Sequence, residues 1–288
     1  MLADIEKEAA RYIGRTETAS DEVSLTMARR LAATLDQSPD GLAHGAPLPD
    51  GWHVILFTPT APTRSLARDG HAPQGDFLPV LPLPRRMFAG RRVIFHQPLR
   101  IGDEVERVSK IAKIESKSGR SGVLAFVTIV HDISTKAGLC VTEEQTLVYR
   151  EEATGGEHKA EPEHAPEGWP WTSSFTPSPM LLLRYSAITF NAHRIHYDEV
   201  YTRETEGYKE RVVNGGLTAI FLAEFAKTLQ PRRMAEFRIR NQRPLFVNET
   251  VSLLGRPDTD NDARTDFWAA DQDGFVASKA SILWGDPR

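Results

Sequence analysis

The run from Leu217 to Leu229 constrains this 288-residue chain more than any other stretch. Drawn as a helix, it leaves only a narrow polar side of Glu224, Lys227 and Thr228. A helix that is apolar almost all round is buried. A sheet wrapped around it accounts for the pattern. Asn214, Gly215 and Gly216 stand immediately before it. Two glycines let a ligand approach a first helical turn closely, and they equally well make the turn into the helix. Upstream lies a polar cluster from Asn191 to Asp198, with His193, Arg194 and His196 inside it. Such a cluster supplies acid or base, and a helix start supplies N–H groups to a developing oxyanion.

The remaining segments say what surrounds the helix. From Arg92 to Arg150 the chain is rich in β-branched and aromatic residues. Gly102-Asp103, Ser118-Gly119 and Ala137-Gly138 punctuate it as turns. Asp21 to Leu35 carries Val23, Met27, Leu31 and Leu35 at helical spacing, with Asp21 and Glu22 suited to its start. Between them, Thr58 to Gly90 holds six prolines and predicts a long irregular loop. Arg85, Arg86, Arg91 and Arg92 form a basic cluster at its end. They fit a solvated charge run or a docking surface for phosphates.

Two halves repeat one order of elements. Pro98-Leu99, with Val105 six residues on, recurs as Pro244-Leu245 with Val251. Each pair leads into a strand, a glycine turn (Gly138, Gly274) and a final strand. Each half has an apolar, potentially helical segment upstream, 52–57 in one and 217–229 in the other. This order predicts an internally duplicated α+β fold. Residues 1–150 form the first unit and 172–288 the second. The acidic, aliphatic-poor segment 151–171 is the linker.

Composition excludes several function classes. A net charge of -4 offers no basic field for nucleic acid or an anionic membrane. No stretch approaches the roughly 20 apolar residues of a membrane span. The N-terminus has no apolar signal segment, which predicts a cytoplasmic protein. Cys140 is the single cysteine, so no intramolecular disulfide forms, and its apolar neighbours make it a buried filler. His193 and His196 have a metal-like spacing but lack further ligands nearby apart from Asp198. Since a catalytic zinc needs three protein ligands, no metal is expected. His53, His71 and His96 lie in the other half, and nothing in the sequence joins them to this pair.

The stretch Tyr185 to His196 resembles the signature of the MaoC-like, (R)-specific enoyl-CoA hydratases. That signature runs Ser/Thr, Gly-Asp, any residue, Asn-Pro, an aliphatic, His. Laid on without gaps, Thr189 comes first, Phe190 takes the Gly and Asn191 takes the catalytic Asp. His193 takes the Asn, Arg194 takes the Pro and His196 takes the catalytic His. The segment Val213 to Gly216 resembles the opening of the family's central helix. Together with the first-half segment from Asp69 to Gly90, the form resembles one branch of two-repeat acyl dehydratases. The branch includes itaconyl-CoA and 3-methylfumaryl-CoA hydratases and the fungal mitochondrial 3-hydroxyacyl thioester dehydratase.

The resemblance implies a double hot-dog fold and a hydro-lyase acting on enoyl-CoA thioesters, with no metal or redox cofactor. It implies a catalytic second repeat and a first repeat that binds the CoA moiety, where Arg85 and Arg86 would meet phosphates. His196 would act as base and then acid, Asn191 would orient the water, and His193 would bind the water or share the proton work. Gly215, Gly216 and Asn214 would hold the thioester oxygen. A free carboxylate on the acyl group would need a cation, and Arg194, Arg184 and Arg203 are candidates. Arg194→Ala should then hurt a dicarboxylic substrate and spare crotonyl-CoA. Three other outcomes share these motifs: a 3-hydroxyacyl dehydratase using acyl carrier protein, a non-catalytic acyl-CoA binding module, and a thioesterase. A double repeat already supplies the pair that single repeats form by dimerising, and further homodimerisation is compatible with it.

Overall fold

The computed structural model describes residues 2–119, 122–151, 162–230 and 232–287. In the first half, helix α1 (Leu2–Tyr12) leads to strand β1 (Thr16–Glu22) and helix α2 (Leu25–Thr34). Strands β2 (Arg85–Phe95), β3 (Glu104–Gly119), β4 (Gly122–Thr135) and β5 (Gly138–Arg150) follow. The second half opens with β6 (Trp171–Phe175), α3 (Pro179–Ile188), α4 (Glu199–Glu204) and α5 (Gly215–Leu229). It closes with β7 (Arg232–Asn241), β8 (Val251–Pro257), β9 (Arg264–Ala270) and β10 (Val276–Pro287).

All ten strands join in one antiparallel sheet, ordered β1-β3-β4-β5-β2-β7-β10-β9-β8-β6. Read outward from the middle, the two halves have the same order, edge strand to central strand. The duplication is therefore one of topology. The halves meet where β2 pairs β7, with Gly90 opposite Arg240 and Ile94 opposite Glu236. A bulge between Phe88 and Gly90 interrupts the β2–β5 ladder beside this junction. A Cβ on Gly90 would overlap the Ile239 carbonyl oxygen, so the close approach of the two halves there requires glycine.

Helix α5 is enclosed as its composition demands. Leu217, Ile220, Leu222 and Ala226 are at most 2% exposed and join the main core. Part of its polar stripe also faces protein. Glu224 accepts hydrogen bonds from Trp52 Nε1 at 2.8 Å and Gln37 Nε2 at 2.9 Å, both from the first half. A second core lies under α1, where Ile5 and Tyr12 meet Leu81, Leu83 and Tyr149.

Four expectations are corrected. Asp21 and Glu22 do not start a helix. They end β1, paired to β3, and Ser24 caps α2 by accepting from Met27 N–H at 3.4 Å. The segment 52–57 holds only one 3-10 turn, Trp52–Ile55, so among the described residues the first half shows no counterpart to the 15 residues of α5. The proline-rich loop ends earlier than Gly90, because Arg85 already pairs with Arg150 in the ladder. The N-terminal helix α1 was not foreseen. Residues 152–161 of the proposed linker lie outside the described residues, and Trp171 already belongs to β6. Among the described residues no helix is long and apolar enough to cross a membrane.

Candidate active site

The segment after α3 is folded by its own polar side chains. Thr189 Oγ1 donates back to Tyr185 O at 2.7 Å, and Asn191 N–H donates to Ser186 O at 2.7 Å. Phe190, which stands in the signature's glycine position, has φ +49°. The turn keeps the left-handed conformation that glycine would adopt freely. Asn191 Oδ1 accepts from His193 N–H at 3.0 Å, so its carbonyl shapes the turn. A 3-10 turn, Arg194–His196, then carries His196 inward, where it is 8% exposed.

His196 Nδ1 lies 2.7 Å from Val212 O. A carbonyl oxygen only accepts, so Nδ1 carries the proton and Nε2 is left with a free lone pair. Burial pushes the His196 pKa down to about 4, with the Val212 bond opposing. The ring is a neutral base at neutral pH. His193 stands edge-on to it, ring centroids 5.3 Å apart, and burial with nearby His71 pushes its pKa down to about 2.

The first half supplies residues that the sequence did not connect to this cluster. The His71 ring lies 4.1 Å from the His193 ring. His71 Nδ1 bonds Asp69 Oδ2 at 2.7 Å, and the His71 N–H donates to Asp69 Oδ1 at 2.9 Å. Burial works to raise the Asp69 pKa, but the bonds and charge of His71 outweigh it and hold the carboxyl well below its usual range. Gly70, at φ +91°, lets this turn press against the signature segment, since a Cβ there would overlap Ala192 O. The signal available in the sequence was Asp69-Gly70-His71 inside a proline-rich loop. What it lacked was the docking partner. His53 lines the same cavity, whereas His96 is exposed and contacts Thr142.

Other singled-out residues fall in different places. Arg194 N–H donates to Asp69 O at 2.9 Å, and its guanidinium reaches Arg68 O at 3.3 Å and Asp198 Oδ2 at 2.7 Å. It does not line the cavity; it clamps the Asp69–His71 turn to the second half. Arg184 is exposed, donates to Ala33 O at 3.3 Å, and also lies away from the cavity. Arg203 pairs on the surface with Glu199 and Glu210. Arg85 lines the cavity but is tied to Glu206 at 3.2 Å, and Arg86 lies within electrostatic reach of His193.

His196, His193, Asp69, His71, Arg85 and Arg86 share a cavity of about 1160 Å³ lined by both halves. Asn214, Gly215 and Gly216 line it at the start of α5. Leu217 and Thr218 N–H groups bond Asn214 O. Among the described residues no backbone partner takes the N–H of Gly215 or Gly216. Those two N–H groups are the anion-binding end of a 15-residue helix. Donor atoms of Asp69, His71 and His193 lie within 4.8 Å of one another and have the chemistry to collect a cation. As they stand, Asp69 and His71 satisfy each other.

A buried histidine, an aspartate–histidine pair and the start of a buried helix thus face one cavity, the groups that acid–base chemistry beside a developing oxyanion calls for. A family profile for hydroxyacyl-thioester dehydratase type 2 matches residues 51–247. The chain is 44% identical to the mesaconyl-C(4)-CoA hydratase of Chloroflexus aurantiacus, over 95% of this chain and 97% of that one. It is 27% identical to the mitochondrial hydroxyacyl-thioester dehydratase type 2 of Schizosaccharomyces pombe, over 72% and 77% of the two chains. A MaoC-like dehydratase of Phytophthora capsici superposes with TM-score 0.69 at 15% identity, covering 98% of this chain and 99% of that one. A Mycobacterium tuberculosis protein described as a double hot-dog fold gives TM-score 0.57 at 13% identity, over 95% and 96%. The chain belongs to the hydroxyacyl-thioester dehydratase type 2 family and has the double hot-dog fold.

Proposed function

We propose that this enzyme adds water across the C2=C3 bond of an enoyl-CoA monothioester of a dicarboxylic acid, of the mesaconyl-C4 type. The observation that carries the reading is His196, a neutral base of fixed tautomer, sharing one cavity with Asp69–His71 and the start of α5. The 44% identical hydratase supports the dicarboxylic acyl group. The relative that uses a hydroxyacyl thioester is more distant, which favours CoA hydration over dehydration on a carrier protein.

The residues divide the work as follows. His196 Nε2 takes a proton from water as the oxygen bonds to C3. The C2=C3 electron pair moves toward the thioester carbonyl, whose oxygen meets the Gly215 and Gly216 N–H groups. His71, held through Nδ1 by Asp69, delivers a proton to C2. The proton gained by His196 and the one lost by His71 re-equilibrate through cavity water, so the net change is one water added. His193 sits between the two rings and positions them. The Asn191 amide nitrogen is left to orient the water. No metal or redox group is required by these steps. Arg85 and Arg86, at the cavity wall, are suited to the phosphates of CoA. A cytoplasmic location, and any pairing of two chains, belong to the same proposal.

Purified enzyme incubated with mesaconyl-C4-CoA and crotonyl-CoA tests this directly. The expected result is loss of enoyl-thioester absorbance with a product heavier by one water. His196→Ala should lose at least about a hundredfold. Tight binding without turnover would make the chain a binding module, and release of free thiol would make it a thioesterase.

A further inference from the structure

The start of α5 gathers more polar groups than the hydration steps use. A Cβ on Gly216 would meet the Tyr185 hydroxyl at 2.5 Å and Arg91 Nη2 at 3.5 Å. One on Gly215 would meet Asn241 Nδ2 at 2.6 Å. Donors from β2, α3 and β7 thus converge on one helical turn. Several buried polar atoms of residues lining the same cavity have no partner, among them both amide atoms of Asn214, Ser186 Oγ and Arg91 Nε. Asn214 is 3% exposed and Ser186 5%. Native interiors leave few such atoms unpaired, and a cluster of them lining one cavity marks a place that a polar ligand completes.

Arg91 is the cation of this group. Its Nη1 bonds Glu143 Oε2 at 3.3 Å, and its guanidinium lies 4.8 Å from the Phe88 ring centroid. Glu143 in turn bonds His53 Nε2 at 2.9 Å. Burial works to raise the Glu143 pKa, but Arg91, His53 and His131 outweigh it and hold the carboxyl well below its usual range. The pairing therefore fixes one side of the guanidinium. The opposite edge, Nε with Nη2, is the edge that meets a carboxylate with two parallel hydrogen bonds. Tyr185, whose pKa burial pushes up to about 12, keeps its hydroxyl proton.

We propose that the Nε/Nη2 edge of Arg91, with the Asn214 amide and the Tyr185 hydroxyl, receives the free carboxylate of the acyl group. The site then selects monothioesters of dicarboxylic acids over plain enoyl thioesters. This rests on the hydratase reading. In a trans butenedioyl thioester the carboxylate and the thioester carbonyl sit at the two ends of one double bond. Both must therefore be met at one end of the cavity. The glycine N–H groups take the thioester oxygen, and Arg91 takes the carboxylate. Arg194 and Arg184 lie away from the cavity, and Arg85 is already tied to Glu206.

Two measurements test it. In the unaltered enzyme, succinyl-CoA and butyryl-CoA are compared as competitive ligands, by inhibition or by calorimetry. Succinyl-CoA should bind about 10- to 100-fold more tightly, the worth of one charged hydrogen-bond pair. Equal affinity overturns the proposal, whatever the enzyme turns over. Next, Arg91→Gln and Arg91→Gln/Glu143→Gln are assayed on mesaconyl-C4-CoA and crotonyl-CoA. The double variant removes the buried charge that the single one leaves unpaired. Selectivity between the substrates, as a ratio of kcat/KM, should fall about 10- to 100-fold. Equal loss on both substrates would make Arg91 a support of the thioester oxygen or of the fold. Enzyme that hydrates neither substrate yet prefers succinyl-CoA would refute the hydratase reading and leave the carboxylate site standing.

Discussion

His71 of the first half and His193 of the second stack with ring centroids 4.1 Å apart, and Asp69 holds His71 from behind at 2.7 Å. The signature position that normally carries a catalytic aspartate holds Asn191 here. A carboxylate nevertheless reaches the site, on a different segment and through an imidazole.

Asp69→Asn and His71→Ala should each lower kcat by at least about a hundredfold, with a smaller change in KM. Thermal unfolding should move little, because both side chains are partly exposed. If either variant keeps wild-type kcat, the pair is structural and His196 works alone.

Gly70→Ala should damage the same step without touching a reacting group. The new Cβ would overlap Ala192 O, and the backbone sits at φ +91°. Misplacing His71 by about 1 Å can cost about a hundredfold in rate. Gly41→Ala is the control: its φ is +84°, but nothing lies within 4 Å of its Cβ. It should cost stability of roughly 1–3 kcal/mol and leave the rate alone. Equal kinetics in the two variants would show that the loop contact does not matter.

Acid should weaken this protein through His196. Its folded pKa of about 4 lies below the ordinary 6.5, so at intermediate pH the unfolded chain takes up a proton that the folded chain refuses. The stabilisation is fully present above pH 6.5 and is lost as pH falls toward 4, amounting to about 3 kcal/mol. Urea unfolding at steps across this window should show less acid sensitivity in His196→Gln than in wild type. Matching slopes would mean that His196 is not held neutral by the fold. The acid limb of kcat/KM should likewise fall below the usual histidine range.

Arg194→Ala should reduce turnover of mesaconyl-C4-CoA and crotonyl-CoA alike. Arg194 grips the backbone of Arg68 and Asp69 and pairs with Asp198, but its own side chain does not line the cavity. A loss confined to the dicarboxylic substrate would restore the carboxylate role that charge complementarity alone suggests.

The elements most legible in the sequence were those with a strong single signal. The all-round apolarity of 217–229 foretold a buried helix, and β-branched runs between glycine turns foretold β3 to β5. His196, Gly215 and Gly216 were legible because they sit in one contiguous motif. Asp69, His71 and Arg91 were not, because their meaning comes from contacts with residues far along the chain. No local pattern shows that Gly70 presses on Ala192, or that Glu143 turns Arg91 toward α5. The short turn at 52–55, in a segment whose periodicity left helix or strand open, has a similar cause. Trp52 is fixed by its bond to Glu224 of α5, a partner no window of sequence contains.

The pairing of β2 with β7 makes the two halves one continuous hydrogen-bonded sheet. Two identical chains joined in that way would have to carry the same sequence on both sides of the seam, and with it two equivalent sites. Here one side keeps a 15-residue helix and the other keeps a single turn, so the symmetry is broken in the genetic record itself. Both sides still face one cavity, the second half with His196 and the start of α5 and the first with Asp69, His71 and Arg91. The stoichiometry follows: titration with a slowly turned-over acyl-CoA should saturate at one equivalent per chain.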